Sequence, residues 1–464
     1  MTALILLTAA CVGTIWGAVF LRYAGFLGLT AAVLVVGTVF GHPFFHVSAI
    51  TLDRLLLVGV VGLYALQRRL RLIPSRPWDS NDALLALFLI VLAGNAFYND
   101  WRLGGSTSFS QLLFCYLAPA AIYWIARGAY VNPTRIKWMY IAFTLFGVYL
   151  GLTAVAEKMG WSWAVYPRYI MRSDISEFLG RGRGPLLNPL ANGVLLSFAI
   201  ACVSMCFPLA SRIGKLTILG TLVVLMAGIY ASLTRCVWLG AGLMVMFYLA
   251  VALPRSWRLP VVIMLLLCGS VGVGANWKKL TAFKRDKEVS VEDMKESARL
   301  RPILAVMAWK VFQDYPITGC DVGRYRNAAQ DYLGDRDTEL QLEKVRQYVQ
   351  HNVFLSLLTE TGLVGVSLFI LLLVVWSQRA WRLWRSVHLP LEYRQLGLVF
   401  LGVVMTYFVN GMFHDVSIVS MVHMYLMFLV GLVRNLATSE EPVAHYEMRS
   451  PLPSSMATAR WSRA

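Results

Sequence analysis

Charge is scarce in this sequence. Only 14% of its 464 residues are Asp, Glu, Lys or Arg, where soluble domains carry about 25%. A chain so poor in charge cannot clothe a water-facing surface of that size, which excludes an ordinary cytosolic enzyme. With 58% apolar residues and a mean hydropathy of +0.61, disorder of the whole chain is excluded as well. Familiar chemical signatures are also missing. There is no GxxxxGK[ST] phosphate loop, no HExxH or Cys/His metal spacing, no Gly-X-Ser-X-Gly elbow and no Asp-rich pair suited to a metal-bound nucleotide sugar. The seven cysteines are Cys11, Cys115, Cys202, Cys206, Cys236, Cys268 and Cys320. Six lie in or beside apolar runs and only Cys320 stands in a long polar segment, so no extracytoplasmic disulfide and no metal site is expected. No basic segment precedes the first apolar run and no small-residue cleavage site follows it, so residues 3–20 read as a retained span rather than a signal peptide.

What is present is a succession of apolar runs long enough to cross a bilayer. They fall at 3–20, 25–41, 52–66, 83–98, 111–126, 138–156, 189–208, 216–232, 236–253, 259–275, 353–376, 395–413 and 416–433. The expected fold class is therefore all-α, a polytopic membrane helix bundle of about 12–13 transmembrane helices. The net charge of +17 sits largely in short connections. It reads as topological charge and attraction to anionic lipid, not as a nucleic-acid surface. Arg68, Arg69, Arg71 and Arg76 follow the third run, Arg135 and Lys137 precede the sixth, Arg212 and Lys215 link the seventh to the eighth, Arg255 and Arg258 the ninth to the tenth, and Arg379, Arg382 and Arg385 follow the eleventh. Assigned to the cytoplasm, these leave 99–110, 157–188, 233–235, 276–352 and 414–415 outside.

Four organisational units follow: residues 1–275 with ten helices, a large loop at 276–352, C-terminal helices at 353–433, and a polar tail at 434–464 expected to be disordered and cytoplasmic. The loop is expected to be a partly helical cap. Leu300, Ile303, Leu304, Met307 and Val311 recur at helical spacing from a start near Arg299 and Pro302. A second stretch opens with Thr338 and Gln341 at capping-box spacing.

Chemistry is sought among the charges at the outer ends of the spans, which are costly unless used or paired. Arg181-Gly-Arg183 lies just before Asn188-Pro189 at the start of the seventh span. Glycine permits close backbone approach and arginine offers a planar fork for phosphate oxygens, although a loop arginine can equally meet lipid headgroups. Thr234-Arg235-Cys236 forms a very short turn, where Arg235 either serves a ligand or snorkels as an anchor. His351-Asn352 opens the eleventh span, followed by Glu360-Thr-Gly362 and Gly365. Its imidazole is either a structural group or a base near neutral pH. His414-Asp415 ends the twelfth span as either a polar turn or a sugar-binding pair.

Taken in order, these motifs resemble the bacterial O-antigen ligase and O-antigen polymerase superfamily of membrane glycosyltransferases. The resemblance spans roughly residues 180–376. It rests on Arg183 before Asn188-Pro189, on Ser232-Leu-Thr-Arg235, on Arg301 with Tyr315-Pro316-Ile-Thr-Gly319-Cys-Asp-Val-Gly323-Arg324-Tyr325, and on His351-Asn352 with Glu360-Thr-Gly362-Leu-Val-Gly365. It implies a GT-C-type enzyme of the bacterial inner membrane with its active site facing the periplasm. The donor is then a glycan on polyprenyl (undecaprenyl) pyrophosphate and the acceptor a hydroxyl of lipid A–core or of another glycan, with inversion and with neither metal nor cofactor. In that reading His351, Arg235 and Arg183 are catalytic, with Arg183 and Arg235 gripping the diphosphate. Arg181, Arg301, Arg324, Asn352, His414 and Asp415 bind substrate. A ligase is favoured slightly over a polymerase or a protein-directed relative. The alternative from another class is a transporter of lipid-linked glycans, against which stand the lack of paired halves, the absence of broken spans expected from the sequence, and the gathering of cations at one face.

Overall fold

The computed structural model describes residues 2–41, 45–47, 50–73, 76–97, 107–175, 177–275, 291–337 and 339–437. Of the tail expected to be disordered at 434–464, residues 434–437 instead complete the last helix, with Arg434 and Asn435 buried; residues 438–464, the first part of the large loop at 276–290 and the capping residue Thr338 lie outside the described residues. Among the described residues the regular structure is helical apart from a two-residue antiparallel pairing, β1 (His46–Val47) with β2 (Ile50–Thr51). The helices are α1 (Thr2–Phe40), α2 (Leu52–Arg69), α3 (Ser80–Phe97), α4 (Ser108–Gly128), α5 (Pro133–Met159), α6 (Pro189–Cys206), α7 (Arg212–Ala231), α8 (Arg235–Ala252), α9 (Arg255–Ala275), α10 (Val291–Asp314), α11 (Val353–Arg385), α12 (Leu391–Gly411) and α13 (Ser420–Ala437). Among the described residues nine helices are long and apolar enough to cross a membrane. The protein is a polytopic helical membrane bundle. α1 is interrupted at Gly25 (φ 67°, ψ −172°), between the two runs expected at 3–20 and 25–41. α4 widens into a π-helix over Leu112–Leu117.

The bundle has two chemically different ends. At one, charge is buried and paired. Arg127 on α4 meets Asp82 on α3 at 2.6 Å, with both side chains almost wholly enclosed. Tyr123 also donates to Asp82, and Arg434 on α13 reaches Asp79. Arg76 donates to both oxygens of Asn435, whose amide donates in turn to the carbonyls of Ala126 and Ala129. This network ties α3, α4 and α13 together, and the sequence reading passed over it.

The other end carries the cap. Leu300, Ile303, Leu304, Met307 and Val311 form its core with Tyr325, Leu342 and Val345. α10 starts at Val291, upstream of the expected start at Arg299, and Pro302 lies inside it. The second stretch forms only a 3-10 turn at Leu342–Val345, and Gln341 makes no side-chain cap.

The cap is joined to α11 where that helix breaks, at Gly362 (φ 62°, ψ −164°). A break within apolar surroundings frees backbone groups that must find partners. The cap supplies them: Cys320 donates to the Thr359 carbonyl at 2.8 Å, Leu363 donates to Pro316 and Val364 to Ile317. Asn95 on α3 donates to the carbonyls of Thr318 and Glu360. A Cβ on Gly362 would overlap the Ile317 carbonyl, and one on Gly319 the Glu360 carbonyl. Gly362→Ala therefore meets both a collision and a backbone region essentially reserved for glycine. The expected cost is about 1–3 kcal/mol, read as faster protease cleavage within residues 314–324 in detergent. Cleavage at the wild-type rate would show that the seam does not hold the cap.

Candidate functional site

Three helices begin at the cap end in the same way. Leu187 (φ 51°), Leu233 (φ 49°) and His351 (φ 49°) adopt left-handed backbone, each directly before an N-cap residue: Asn188 for α6, Thr234 for α8 and Asn352 for α11. Asn188 accepts from the amides of Leu190 and Ala191, and Asn352 from those of Phe354 and Leu355. Thr234 makes no such cap. Its hydroxyl instead accepts from Arg181 at 3.1 Å and donates to the Ser232 carbonyl. The first-turn amides of α8 thus lack a side-chain acceptor from their cap, which favours negative charge at that helix end.

Arg181 is buried, lies against the Phe178 ring and holds the 232–235 turn through Thr234. Gly182 packs on Ala154 and the Ala231 backbone, which brings the loop before α6 onto the end of α7. Arg235, the first residue of α8, is exposed at this junction.

Arg183 departs from the expected role. Its side chain is 0% exposed and its Nε stands 3.2 Å from Glu157, also 0% exposed. Its other nitrogens donate to the carbonyls of Ile175, Glu177 and Ile170. Glu157 accepts in turn from the Gly184 amide. Arg183 therefore organises the loop from within and presents no surface to a substrate. The sequence reading missed Glu157. Its one signal was a carboxylate closing an otherwise apolar span.

A second group forms where α10, α11 and α12 meet. The rings of His351 and His414 are 6.1 Å apart, and that of Tyr348 stands 6.2 Å from His351. Arg301 lies over the Phe413 ring at 5.2 Å. Asn352 donates to the Met412 carbonyl at 3.0 Å. Asp415 is buried and accepts from the amide and hydroxyl of Ser417. Burial, then the nearby Arg301 cation, push the His351 pKa below the ordinary histidine value, while Asp415 opposes them. The imidazole is accordingly neutral at neutral pH and able to accept a proton. Arg324 is not part of this group: it is exposed, 3.6 Å from Asp321 in its own loop, where Val322 and Gly323 rest on Ser108.

The two groups share one end of the bundle. Gly240 of α8 packs against Thr406 and Asn410 of α12, and Gly411 against Val353 of α11. Arg235 and His414 thus cap neighbouring helices, whose axes typically pack about 8–10 Å apart.

The geometry separates two arginines that the sequence had grouped. Arg183→Ala leaves Glu157 buried without its cation, and losses of this kind cost about 3–5 kcal/mol. Arg235→Ala truncates an exposed side chain rather than a buried ion, with an expected cost of at most about 1 kcal/mol. Thermal unfolding of the two purified variants in detergent checks the contrast. Equal melting temperatures would remove the organising role from Arg183.

A family model described as O-antigen ligase (Wzy_C) matches residues 220–370, about a third of the chain. No curated protein matches the chain. The matched stretch runs from within α7 through α8, α9 and the cap to the first half of α11, and holds Arg235, Arg301, Arg324, His351 and Asn352. Arg181, Arg183, His414 and Asp415 lie outside it. Over residues 220–370 the chain is thus similar to the O-antigen ligase family.

Proposed function

We propose that the protein transfers a glycan from a polyprenyl diphosphate to an acceptor hydroxyl at the periplasmic face of the inner membrane, with a lipid A–core sugar as the acceptor. The observation that carries this reading is the gathering, at one end of a membrane bundle, of the Arg181–Thr234–Arg235 turn with the His351–His414–Asp415 group, around a segment of ligase type. Arg235 and the first-turn amides of α8 receive the diphosphate, and Arg181 positions them through Thr234. Positive charge fixed there before the reaction offsets the charge that grows on the departing diphosphate. His351 takes the proton of the acceptor hydroxyl as oxygen attacks the anomeric carbon from the side opposite the leaving group, inverting that centre. Arg301, Asn352, His414 and Asp415 orient the acceptor sugar. The cap over this end keeps out water, the competing acceptor. The leaving diphosphate is neutralised by guanidinium and helix amides, so the step calls on neither metal nor cofactor. A polymerase would share the donor half and differ in the acceptor.

The test is transfer from a defined polyprenyl-diphosphate glycan by the purified protein, with lipid A–core and a second glycan chain offered in parallel. His351→Ala is expected to lower turnover about 10²–10⁴-fold, the usual worth of a general base. Wild-type turnover in that variant would remove His351 from the reaction, and movement of the lipid without covalent product would favour a transporter.

The pH profile gives a second check. Activity should fall on the acid side as His351 protonates, at a pH below the ordinary histidine value. Arg301→Ala removes a cation that lowers this pKa, so the acid limb moves to higher pH. Asp415→Asn removes an anion that raises it, so the limb moves lower. Shifts of the opposite sign would show that the limb belongs to another group.

A further inference from the structure

The outer ends of α3 and α11 fix the height at which the cap meets the bilayer. Both helices are long and apolar enough to span it, and they pack on each other. α3 has 18 residues, about 27 Å at 1.5 Å per residue, close to the roughly 30 Å apolar layer of a bilayer. Its outward face carries Leu87, Ile90 and Phe97, all exposed. On α11 the outward apolar face begins directly after the break, at Leu363 and Val364, both exposed. The cap is bonded to the chain at this same level. Asn95, in the last turn of α3, donates to the Thr318 carbonyl at 2.6 Å, and the amides of Leu363 and Val364 donate to Pro316 and Ile317. The seam thus lies where two spans leave the apolar layer.

Just beyond the seam the cap presents apolar and aromatic side chains outward. Ile317, Tyr315 and Trp309 are exposed, and Phe312 packs on Trp309 with ring centroids 5.2 Å apart. Trp309 lies five residues before the end of α10 at Asp314, about 8 Å of helix. A headgroup layer is about 5–8 Å thick, so the two lengths match. The other sides of α10 are occupied. Leu304, Met307 and Val311 face the cap core, and Lys310 pairs with Asp335 and Asp337. Arg301 and the acceptor group lie eight residues away from Trp309, about 12 Å further along α10.

We propose that Trp309, Phe312, Tyr315 and Ile317 form a membrane-surface anchor, seated in the headgroup layer of the leaflet on the cap side. The occupant is argued from continuity: these side chains prolong the outward apolar faces of α3 and α11 across the seam. Indole and phenol rings, apolar in body and polar at one edge, suit that depth. The cap is then held at two places, by backbone bonds at Gly362 and by the bilayer surface beside it. α10 carries Arg301 at a set height above the headgroups. The proposal stands on the spanning helices and does not require the transfer reading. A sugar chain and a second copy of this protein are the competing occupants.

A nitroxide attached through a genetically encoded keto amino acid tests this in the full-length protein, in nanodiscs of phosphatidylethanolamine and phosphatidylglycerol. It is placed singly at Trp309 and Tyr315, with the exposed Leu363 of α11 as the lipid reference and the exposed Gln330 of the cap as the water reference. Collision with oxygen is compared with collision with a water-soluble nickel chelate. The oxygen-to-nickel ratio at 309 and at 315 is expected to lie at least about 3-fold above that at Gln330 and below that at Leu363, as for groups at headgroup depth. A ratio at both sites equal to that at Gln330 overturns the anchor. Low collision with both reagents marks a protein contact and overturns it in favour of a second copy. Nickel access at 309 that falls only when a soluble oligosaccharide is added overturns it in favour of a sugar.

Discussion

The cap end depends first on one buried cation. Taking the Arg183 guanidinium out of water is expensive, and it is tolerated only where good geometry and further acceptors surround it. Here Glu157 supplies the opposite charge and the carbonyls of Ile170, Ile175 and Glu177 take the remaining donors. Those three carbonyls belong to different parts of a loop with little regular structure, so a single side chain fixes the loop's path. Once that path is set, Gly182 rests on the end of α7 and Arg181 reaches Thr234. The exposed Arg235 therefore takes its position from an arginine that never meets solvent.

The second constraint concerns backbone. Within a bilayer an interrupted helix is stable only if its freed amides and carbonyls find partners inside the protein. α11 is interrupted at Gly362, and residues 316–320 of the cap provide those partners. The cap is thus bonded into a transmembrane helix rather than laid over it. Because α11 begins at Val353, two residues after His351, the break at Gly362 and the imidazole are separated by about three helical turns. Cap docking and imidazole placement are consequently parts of one arrangement.

Much of this was legible in the sequence, for reasons that also explain what was not. Long apolar runs give the helical membrane class directly, since a bilayer leaves few alternatives. Leu300 to Val311 announced a cap helix by periodicity, but its start was misplaced. Pro302 favours a first turn on local grounds, whereas the helix runs from Val291 and holds Pro302 inside it. His351-Asn352 and Glu360-Thr-Gly362 stood out as polar and glycine-bearing interruptions of apolar sequence. Pairing was not legible. Arg181 and Arg183 are two residues apart and chemically identical, yet one meets a threonine and the other a glutamate 26 residues upstream. Nothing in local spacing separates them. The Asp82–Arg127 and Asp79–Arg434 pairs were hidden for the same reason, their partners being far apart in the chain.

The contrast between the two ends bears on the kind of work such a bundle can do. Alternating access requires that both ends open in turn around a central site. At the end away from the cap, α3, α4 and α13 are joined through Asp82–Arg127, Asp79–Arg434 and the Asn435 amide bonds. Opening there would separate ions already removed from water and leave each uncompensated, at a cost of several kcal/mol per pair. At the cap end the helices start from left-handed residues and irregular loops, α11 is broken, and Arg235 is exposed. Arg235 is thus exposed beside the irregular loops and the broken α11 of the cap end, while at the opposite end α3, α4 and α13 are held together by ion pairs. That asymmetry suits a reaction performed on one side of a membrane better than a passage through it.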